Sequence, residues 1–439
     1  MSESGNGFKP SRYQQAVFAF VSEGEGNGVV EAVAGSGKTT TIVHSLKHTT
    51  PRSRIVFVAY NKHIADSLRG RAPGHVAVST LHRLGYAALR RAGNCGLDER
   101  KTQKIVSKWL PSDAPGKVFR EMMRLVSLAK ATLIDASDLD AAREVADRYG
   151  LLVDRQMDEM IYVLPEILRE CREDAKRVDF DDMIWLPLVA EREMAVDDYD
   201  FVFVDEAQDL NPAQIALVMR MLRSGGRVVA IGDRFQSLYG FRGADVDAIP
   251  HIIRATDAKT LPLSIPYRCP RKHVELAKAI VPHIEARPGA AEGAVHYVDE
   301  SKLGELLRDG DMVICRTNAP LMSLAMERIR GGHKAVVKGR DIGASLAALA
   351  RNLEAETIAE MRRKLLRYEE RECRHLMERR ASETALAVFQ DKVETLAAVM
   401  DECETPGEVA ARLQSVFADG ESGVTFSTVH QAKGLEAER

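Results

Sequence analysis

One stretch near the N-terminus has the residue types of a phosphate-binding loop. It comprises Gly35, Ser36, Gly37, Lys38, Thr39 and Thr40. Small residues allow successive backbone N–H groups to point inward at phosphate oxygens. Lys38 is placed to reach the β- and γ-phosphates of a nucleotide, and the Thr39 hydroxyl to ligate Mg2+. The alternative is an ordinary strand-to-helix turn with a surface lysine. The pattern G-x-x-x-x-G-K-[ST], here with Ala32 in its first place, favours nucleotide binding.

Adjacent carboxylates follow an apolar run further along the chain. Asp205 and Glu206 come directly after Phe201–Val204. Asp205 would lie at the tip of a buried strand, where it can hold the Mg2+ that Thr39 also ligates, and Glu206 can orient and deprotonate an attacking water. The alternative is a capped helix start. Because a phosphate-binding loop lies upstream, the catalytic interpretation is favoured.

A glycine-bounded segment carries two aromatic side chains and a cation, namely Tyr239, Phe241 and Arg242. Nucleic-acid bases stack on such rings with about 1–3 kcal/mol each and without sequence preference. The alternative places both rings in the core, and the flanking Gly240 and Gly243 argue against it.

Polar residues also follow two apolar runs that read as strands, Ile55–Ala59 and His75–Ser79. Since ligands meet open α/β sheets outside the carboxyl ends of the strands, these positions indicate a polar ligand. They are Asn61, Lys62, Thr80 and His82. Near the N-terminus, Gln14 or Gln15 can present a planar amide to an adenine edge, although the ordinary interpretation of their segment is a packing helix. Asp179 and its acidic neighbours suit a helix cap better than a metal site.

The patterns that position these residues predict an α/β fold. Valine-rich runs typical of buried parallel strands alternate with helical spacing, and two long segments with three-to-four spacing read as helical insertions. We therefore predict two α/β domains with parallel sheets, each with a helical insertion. The predicted parts are a first domain at 1–85 and 175–262, its insertion at 86–174, a second domain at 263–340 and 420–439, and its insertion at 341–419.

Composition limits the possible partners. The chain has 439 residues, of which 45% are hydrophobic, and a formal net charge of −3, so any polyanion site must be a local groove. Its six cysteines form no C-x-x-C pair, which is typical of reduced thiols in a cytoplasmic protein. The N-terminus lacks the apolar core of a signal peptide, and no run is long enough to span a bilayer.

Taken together, these blocks resemble the motifs of superfamily 1A, the UvrD/Rep-like DNA helicases. Ala32–Thr39 resembles the Walker A loop, and Asp205–Asp209 resembles motif II. Gly232–Ala244 is similar to motif III, and Tyr60–Lys62 and Thr80–His82 to motifs Ia and Ib. Tyr267-Arg268 resembles motif IV, and Thr428–Glu436 motif V. The resemblance implies that the two α/β domains are RecA-like motor domains, with ATP and Mg2+ as ligands. It also implies translocation 3′→5′ on single-stranded DNA, with single/double-strand junctions as partners, no membrane, and a monomer favoured.

The resemblance also implies roles for single residues. Gln14 reads adenine, Tyr267 packs on it, and Glu436 lies near the ribose. Gln208 couples the ATP site to motion, Gln236 senses the γ-phosphate, and Arg268 is an arginine finger. The residues implied to contact DNA are Asn61, Lys62, Thr80, His82, Tyr239, Phe241, Arg242, Thr317, Asn318, Thr428 and His430.

Two other functions stay open at the level of sequence. Motif VI of the family should follow motif V, and the chain ends at Arg439 before it. A nucleotide-gated DNA-binding protein without motor activity is therefore the first alternative, and the sequence leads us to expect a C-terminally incomplete helicase. A phosphate-loop kinase is the second, against which the paired aromatics around Arg242 and the presence of Arg268 argue.

Overall fold

The computed structural model describes residues 8–111, 114, 116–135, 137–149, 151, 161–190, 194–237, 247–378, 383–417 and 423–437. The chain forms two compact units, unit 1 from Met1 to Val295 and unit 2 from His296 to Arg439. Among the described residues, no helix is both long and apolar enough to cross a bilayer.

Unit 1 is built on a six-stranded parallel sheet in the order β3-β2-β6-β7-β1-β8. Its central strands carry side chains buried on both faces, which is why they read as continuous apolar runs instead of alternating ones. The strands are β1 (Gly28–Ala32), β2 (Ile55–Val58), β3 (Val76–Ser79), β6 (Tyr199–Val204), β7 (Leu222–Gly232) and β8 (Lys259–Leu263). The mixed α/β, parallel-sheet prediction is confirmed.

Two features of the sheet were not predicted. β8 is an edge strand beside β1, with Glu31 opposite Pro262, and a proline is tolerated at an edge because no ladder partner needs its missing N–H. A two-residue parallel pair, β4 (Gly96–Leu97) and β5 (Arg177–Val178), ties together the ends of the first helical insertion.

Helices cover both faces of this sheet and form the first insertion. Several of them begin at a residue whose side chain caps the helix. Asp179, for example, accepts a hydrogen bond from the backbone N–H of Asp182 in a capping box, so the predicted helix cap is confirmed. The helices of unit 1 are α1 (Arg12–Glu23), α2 (Lys38–Ser45), α3 (Lys62–Arg69), α4 (Leu81–Ala92), α5 (Lys101–Trp109), α6 (Gly116–Thr132), α7 (Leu139–Arg148), α8 (Leu164–Glu173), α9 (Phe180–Val189), α10 (Pro212–Arg220), α11 (Ala248–Thr256) and α12 (Arg271–Ala277). Short 3-10 turns lie at Leu46–His48, Ile161–Val163, Ala207–Asp209 and Arg234–Gln236.

The insertion has its own core and a buried ionic cluster. Lys130 contacts Asp182 at 2.8 Å, and Lys101 contacts the same carboxylate at 2.6 Å, with all three side chains almost fully buried. Thr102 donates a hydrogen bond to Asp179. Each charged side chain in the cluster pairs with one of opposite charge. The cluster therefore links α5, α6 and α9 without burying an unpaired charge.

Unit 2 has a three-stranded parallel sheet in the order β10-β11-β9, with helices packed against it. The strands are β9 (Met312–Cys315), β10 (Ala335–Val337) and β11 (Val424–Thr428), and a 3-10 turn lies at Glu300–Lys302. The helices are α13 (Leu303–Leu306), α14 (Ala319–Arg330), α15 (Arg340–Asn352), α16 (Ile358–Glu378), α17 (Glu383–Met400) and α18 (Pro406–Val416). The helical character expected of 341–419 is present.

Candidate nucleotide site

The loop between β1 and α2 has the backbone of a phosphate cradle. Gly35 and Gly37 have φ values of +71° and +80°, in the left-handed region that glycine adopts without strain. The hydroxyl of the buried Ser36 donates to the carbonyl of Val33 at 2.7 Å, which fixes the turn. The loop therefore delivers the N-terminus of α2, with its unpaired N–H groups and positive dipole end, to the carboxyl edge of the sheet.

The residues predicted for phosphate and Mg2+ chemistry meet at this edge. The Thr39 hydroxyl donates to the Oδ2 of Asp205 at 3.4 Å, and the Nζ of Lys38 lies 3.9 Å from the Oε2 of Glu206. Lys38 and Thr39 begin α2, which follows β1, whereas Asp205 and Glu206 follow the end of β6. Thr39 and Asp205 are 166 residues apart in sequence, and they meet because β1 and β6 belong to one sheet. A hydroxyl and a carboxylate oxygen at this point are the donors that Mg2+ prefers.

Asp205 is deeply buried, and its ionisation is perturbed. Burial, with the adjacent charge of Glu206 adding to it, raises the pKa of Asp205 to about 6. A carboxylate that is costly to ionise alone gains most from a cation placed beside it, so its environment suits a metal ligand.

A hydrogen-bonded chain joins the ends of β6 and β7. Gln208 donates from its side chain to Glu206 at 2.5 Å and accepts from the backbone N–H of Asp233 at 3.0 Å. Gln236 in turn hydrogen-bonds the side chain of Asp233, and burial raises the pKa of that carboxyl. A Cβ on Gly232 would come 2.6 Å from the side-chain Oε1 of Gln208 and 3.0 Å from the Gln208 backbone nitrogen, so a larger residue here would displace Gln208. Asp233 was not identified from the sequence as part of this hydrogen-bonded network.

A cavity of about 300 Å3 opens beside the phosphate loop. The Tyr267 hydroxyl donates to the Oε1 of Gln14 at 3.0 Å, and the Tyr267 backbone N–H donates to the carbonyl of Gly35 at 2.9 Å. The side chain of Arg268 lies over Gly35, within 3.8 Å of where a Cβ would stand. The cavity's lining is Phe8, Lys9, Gln14, Gly35, Gly37, Thr40, Tyr267 and Arg268.

Sequence reasoning missed two kinds of residue here. Thr41 is buried, accepts a hydrogen bond from the Gln14 amide at 3.1 Å and donates to the carbonyl of Gly37 at 2.9 Å. Its position three residues after Lys38 gave no signal, because threonines are common in a first helical turn. Phe8 and Lys9 line the cavity from outside any regular element, so no periodicity could have indicated them.

The candidates for DNA contact in unit 1 lie at the carboxyl edge of the same sheet. Asn61 and Thr80 act as helix N-caps, accepting from the backbone N–H groups of Ile64 and Arg83. Lys62 is exposed in the first turn of α3. His82 lines a small cavity with Asp205, and burial lowers the pKa of its imidazole. Their contact with DNA stays a prediction, as it does for Tyr239, Phe241 and Arg242, which lie outside the described residues.

In unit 2 the candidates gather at the carboxyl ends of β9 and β11. Thr317 and Asn318 follow β9, while Thr428 ends β11 and His430 lies two residues beyond. The backbone N–H and side-chain amide of Asn318 both donate to the carboxylate of Asp391, at 2.7 and 2.9 Å. These contacts give Asn318 a structural role in unit 2. Glu436 is exposed after β11.

With this geometry established, comparison with known proteins decides the family. A family model of the UvrD/REP helicase N-terminal domain matches residues 13–256, more than half of the chain. The chain belongs to the UvrD/REP helicase family. The match begins beside Gln14 and includes both the phosphate loop and Asp205–Asp209, and membership implies the RecA-like fold of unit 1.

Curated relatives agree with this assignment. The chain is 27% identical over 299 residues to the ATP-dependent DNA helicase PcrA of Leuconostoc citreum, covering 60% of this chain and 38% of that protein. It is 26% identical to DNA helicase II of Escherichia coli, covering 60% and 39%, and 26% identical to F-box DNA helicase protein 1 of Schizosaccharomyces pombe, covering 50% and 27%. The matched region thus spans about two fifths or less of these relatives.

Proposed function

We propose that this protein is an ATP-driven DNA motor that translocates 3′→5′ on single-stranded DNA and unwinds single/double-strand junctions, acting as a cytoplasmic monomer. The observation that carries the proposal is the convergence on one loop of groups suited to every part of a nucleotide. Gln14 and Tyr267 line the base end, Lys38 and Arg268 the phosphates, and Asp205 the metal position.

In this proposal the chain's own residues divide the work of hydrolysis. Lys38 and the backbone N–H groups of the loop hold the β- and γ-phosphates, and Arg268 supplies positive charge as the transition state develops. Glu206, oriented by Gln208, positions the attacking water and accepts its proton.

Thr39 and Asp205 would hold Mg2+, whose charge neutralises the phosphate oxygens when it is bound. Two protein oxygens suffice, because Mg2+ usually keeps its waters and binds substrate phosphates as well. The chain from Glu206 through Gln208 to Asp233 and Gln236 gives the site a physical connection to the segment that follows, where Tyr239 and Phe241 are proposed to stack on bases.

DNA as the substrate is supported by the names of the relatives, all DNA helicases, and by the polar residues at the sheet's carboxyl edge. The test is ATP hydrolysis by this chain with and without single-stranded DNA. We expect DNA to stimulate hydrolysis, and Lys38→Ala to abolish turnover while leaving DNA affinity within about twofold. Lys47→Ala, an exposed lysine outside the loop, is the matched control and should behave as wild type.

Two outcomes would contradict the proposal. DNA binding that responds to ATP without turnover would indicate a nucleotide-gated binding protein. Hydrolysis that is indifferent to DNA would indicate a phosphotransferase with another acceptor.

A further inference from the structure

A second cavity, of about 640 Å3, lies in unit 2 among α15, α16 and α17. Its volume falls in the range of about 300–1,000 Å3 that small-molecule sites occupy. Among the described residues, every charged side chain in its lining is basic: Lys364, Arg367, Arg371 and Lys392. Asn352 and Tyr368 add an amide and a phenol.

Two of these cations have no neutralising partner among the residues that the structure describes. Lys364 pairs with Glu360 at 3.0 Å, and Arg371 lies 3.3 Å from its neighbour Glu372. Arg367 and Lys392 have neither an ion pair nor a hydrogen bond within the described part of the chain. Cations from two helices that face one concave space repel each other unless an anion lies between them.

We propose that this cavity binds a small polyanion with two or more phosphate groups, at a site separate from the nucleotide site of unit 1. Arg367 offers a planar fork of donors suited to a phosphate, and Lys392 and Arg371 supply further charge around it. Burial raises the pKa of Tyr368, so its hydroxyl stays protonated and can donate a hydrogen bond.

The charge pattern favours a compact ligand over a nucleic-acid strand. A strand requires a basic stripe that continues along the surface. On α16 the basic residues around the cavity are interleaved with Glu369, Glu370 and Glu372, so positive charge is concentrated in the cavity and diluted beyond it.

The test counts the sites for inorganic tripolyphosphate on the full chain by calorimetric titration. We expect two sites. The double variant Arg367→Gln/Lys392→Gln should lower affinity at one of them at least tenfold, and Lys38→Ala should remove the other. Arg363→Gln, an exposed arginine on α16 outside the cavity's lining, should retain both. Because different variants remove the two sites, the two proposals can fail separately. If the wild-type protein had a single site that Arg367→Gln/Lys392→Gln weakens and Lys38→Ala leaves intact, the result would count against the proposed ATPase and not against this cavity.

Absence of a site in the Lys38→Ala protein, or a site there that Arg367→Gln/Lys392→Gln does not weaken, would overturn the proposal. So would the converse pattern, in which the double variant weakens binding of a single-stranded oligonucleotide and tripolyphosphate has no site. The cavity would then be part of a nucleic-acid surface.

Discussion

The amide of Gln14 is buried and uses both of its ends. Its oxygen accepts from Tyr267 and its nitrogen donates to Thr41, so it joins α1, α2 and the segment after β8. We expect Gln14→Ala to raise the Kd for ATP about tenfold, because it removes the amide proposed to contact adenine and the hydrogen bond that holds Tyr267 beside it. A tenfold change in Kd is about 1.4 kcal/mol, which lies within the cost of about 1–3 kcal/mol for a lost buried hydrogen bond. Calorimetry should show little change for tripolyphosphate, which lacks the base. Ser11→Ala removes the cap of the same helix and is the control. Equal losses for both ligands would show that Gln14 only supports the fold.

Thr41 shows which residues of the nucleotide site can be predicted from the sequence and which cannot. Lys38, Thr39 and Asp205 were predictable because their chemistry is tied to a spacing and to a preceding strand. Thr41 acts through two contacts, to Gln14 and to Gly37, that exist only once α1 packs on α2. The same limit applies to Asp233, whose role depends on its contact with Gln208 in the 3-10 turn after β6.

At the scale of elements, α4 and α9 pack so closely that a single hydrogen atom fits between them. A Cβ on Gly85 would stand 1.8 Å from the carbonyl oxygen of Met183. Gly85→Ala should therefore destabilise the protein by about 1–3 kcal/mol through overpacking, although alanine favours a free helix by about 1 kcal/mol. Urea unfolding measures the difference. Gly93→Ala, at a glycine with open space around it, should cost far less. Equal effects would contradict the close packing.

The buried ionic cluster of the insertion gives the second prediction at this scale. Lys130→Met would leave Asp182 with fewer partners in a dry environment, at a cost of about 3–5 kcal/mol. Lys108→Met, which removes an exposed partner of Glu170, should cost at most about 1 kcal/mol. Denaturant unfolding of both variants is the measurement. Equal, small costs would show that the cluster is hydrated in solution.

The same cluster sets a pH dependence. Burial alone would raise the pKa of Asp179, but the charge of Lys130 and the Thr102 hydrogen bond outweigh it and hold this pKa below its usual value. A carboxyl with a lowered pKa in the folded state stabilises the protein above about pH 4, and this contribution is lost as pH falls further. We expect the acid loss of stability to be smaller in Lys130→Met, measured by urea unfolding between pH 3 and 7. A loss as steep as in the wild type would rule out the proposed coupling.

Elements were predicted best where burial makes the pattern uniform. β1, β2 and β6 are rich in valine, with phenylalanine in β2 and β6, because both faces of the sheet are covered. The ends of β2 and β6 agree with the predicted ends within two residues. β8 was not predicted as a strand because Pro262, Lys259 and Thr260 are residues typical of a loop. Such a composition is tolerated here because β8 lies at the edge of the sheet. The close packing of α4 and α9 was not predicted, because in the sequence only Gly85 indicates it.

For the whole molecule, the residues that form the nucleotide site, the first of which is Gln14 and the last Arg268, all lie in unit 1. The sequence assigns 263–340 to a second motor domain, and that assignment stays a prediction. Each unit also has its own apolar core.

A ligand that binds only the folded state stabilises it by about 2.7 kcal/mol at 100 times its Kd. A nonhydrolysable ATP analogue with Mg2+ should therefore slow hydrogen exchange in β1, α2 and β6 by up to about 100-fold. The core strands of unit 2 should respond much less. Mass spectrometry of peptides from both units makes the comparison, with Lys38→Ala as the control that should show no protection. Protection confined to unit 2, or retained in Lys38→Ala, would mean that the nucleotide binds elsewhere.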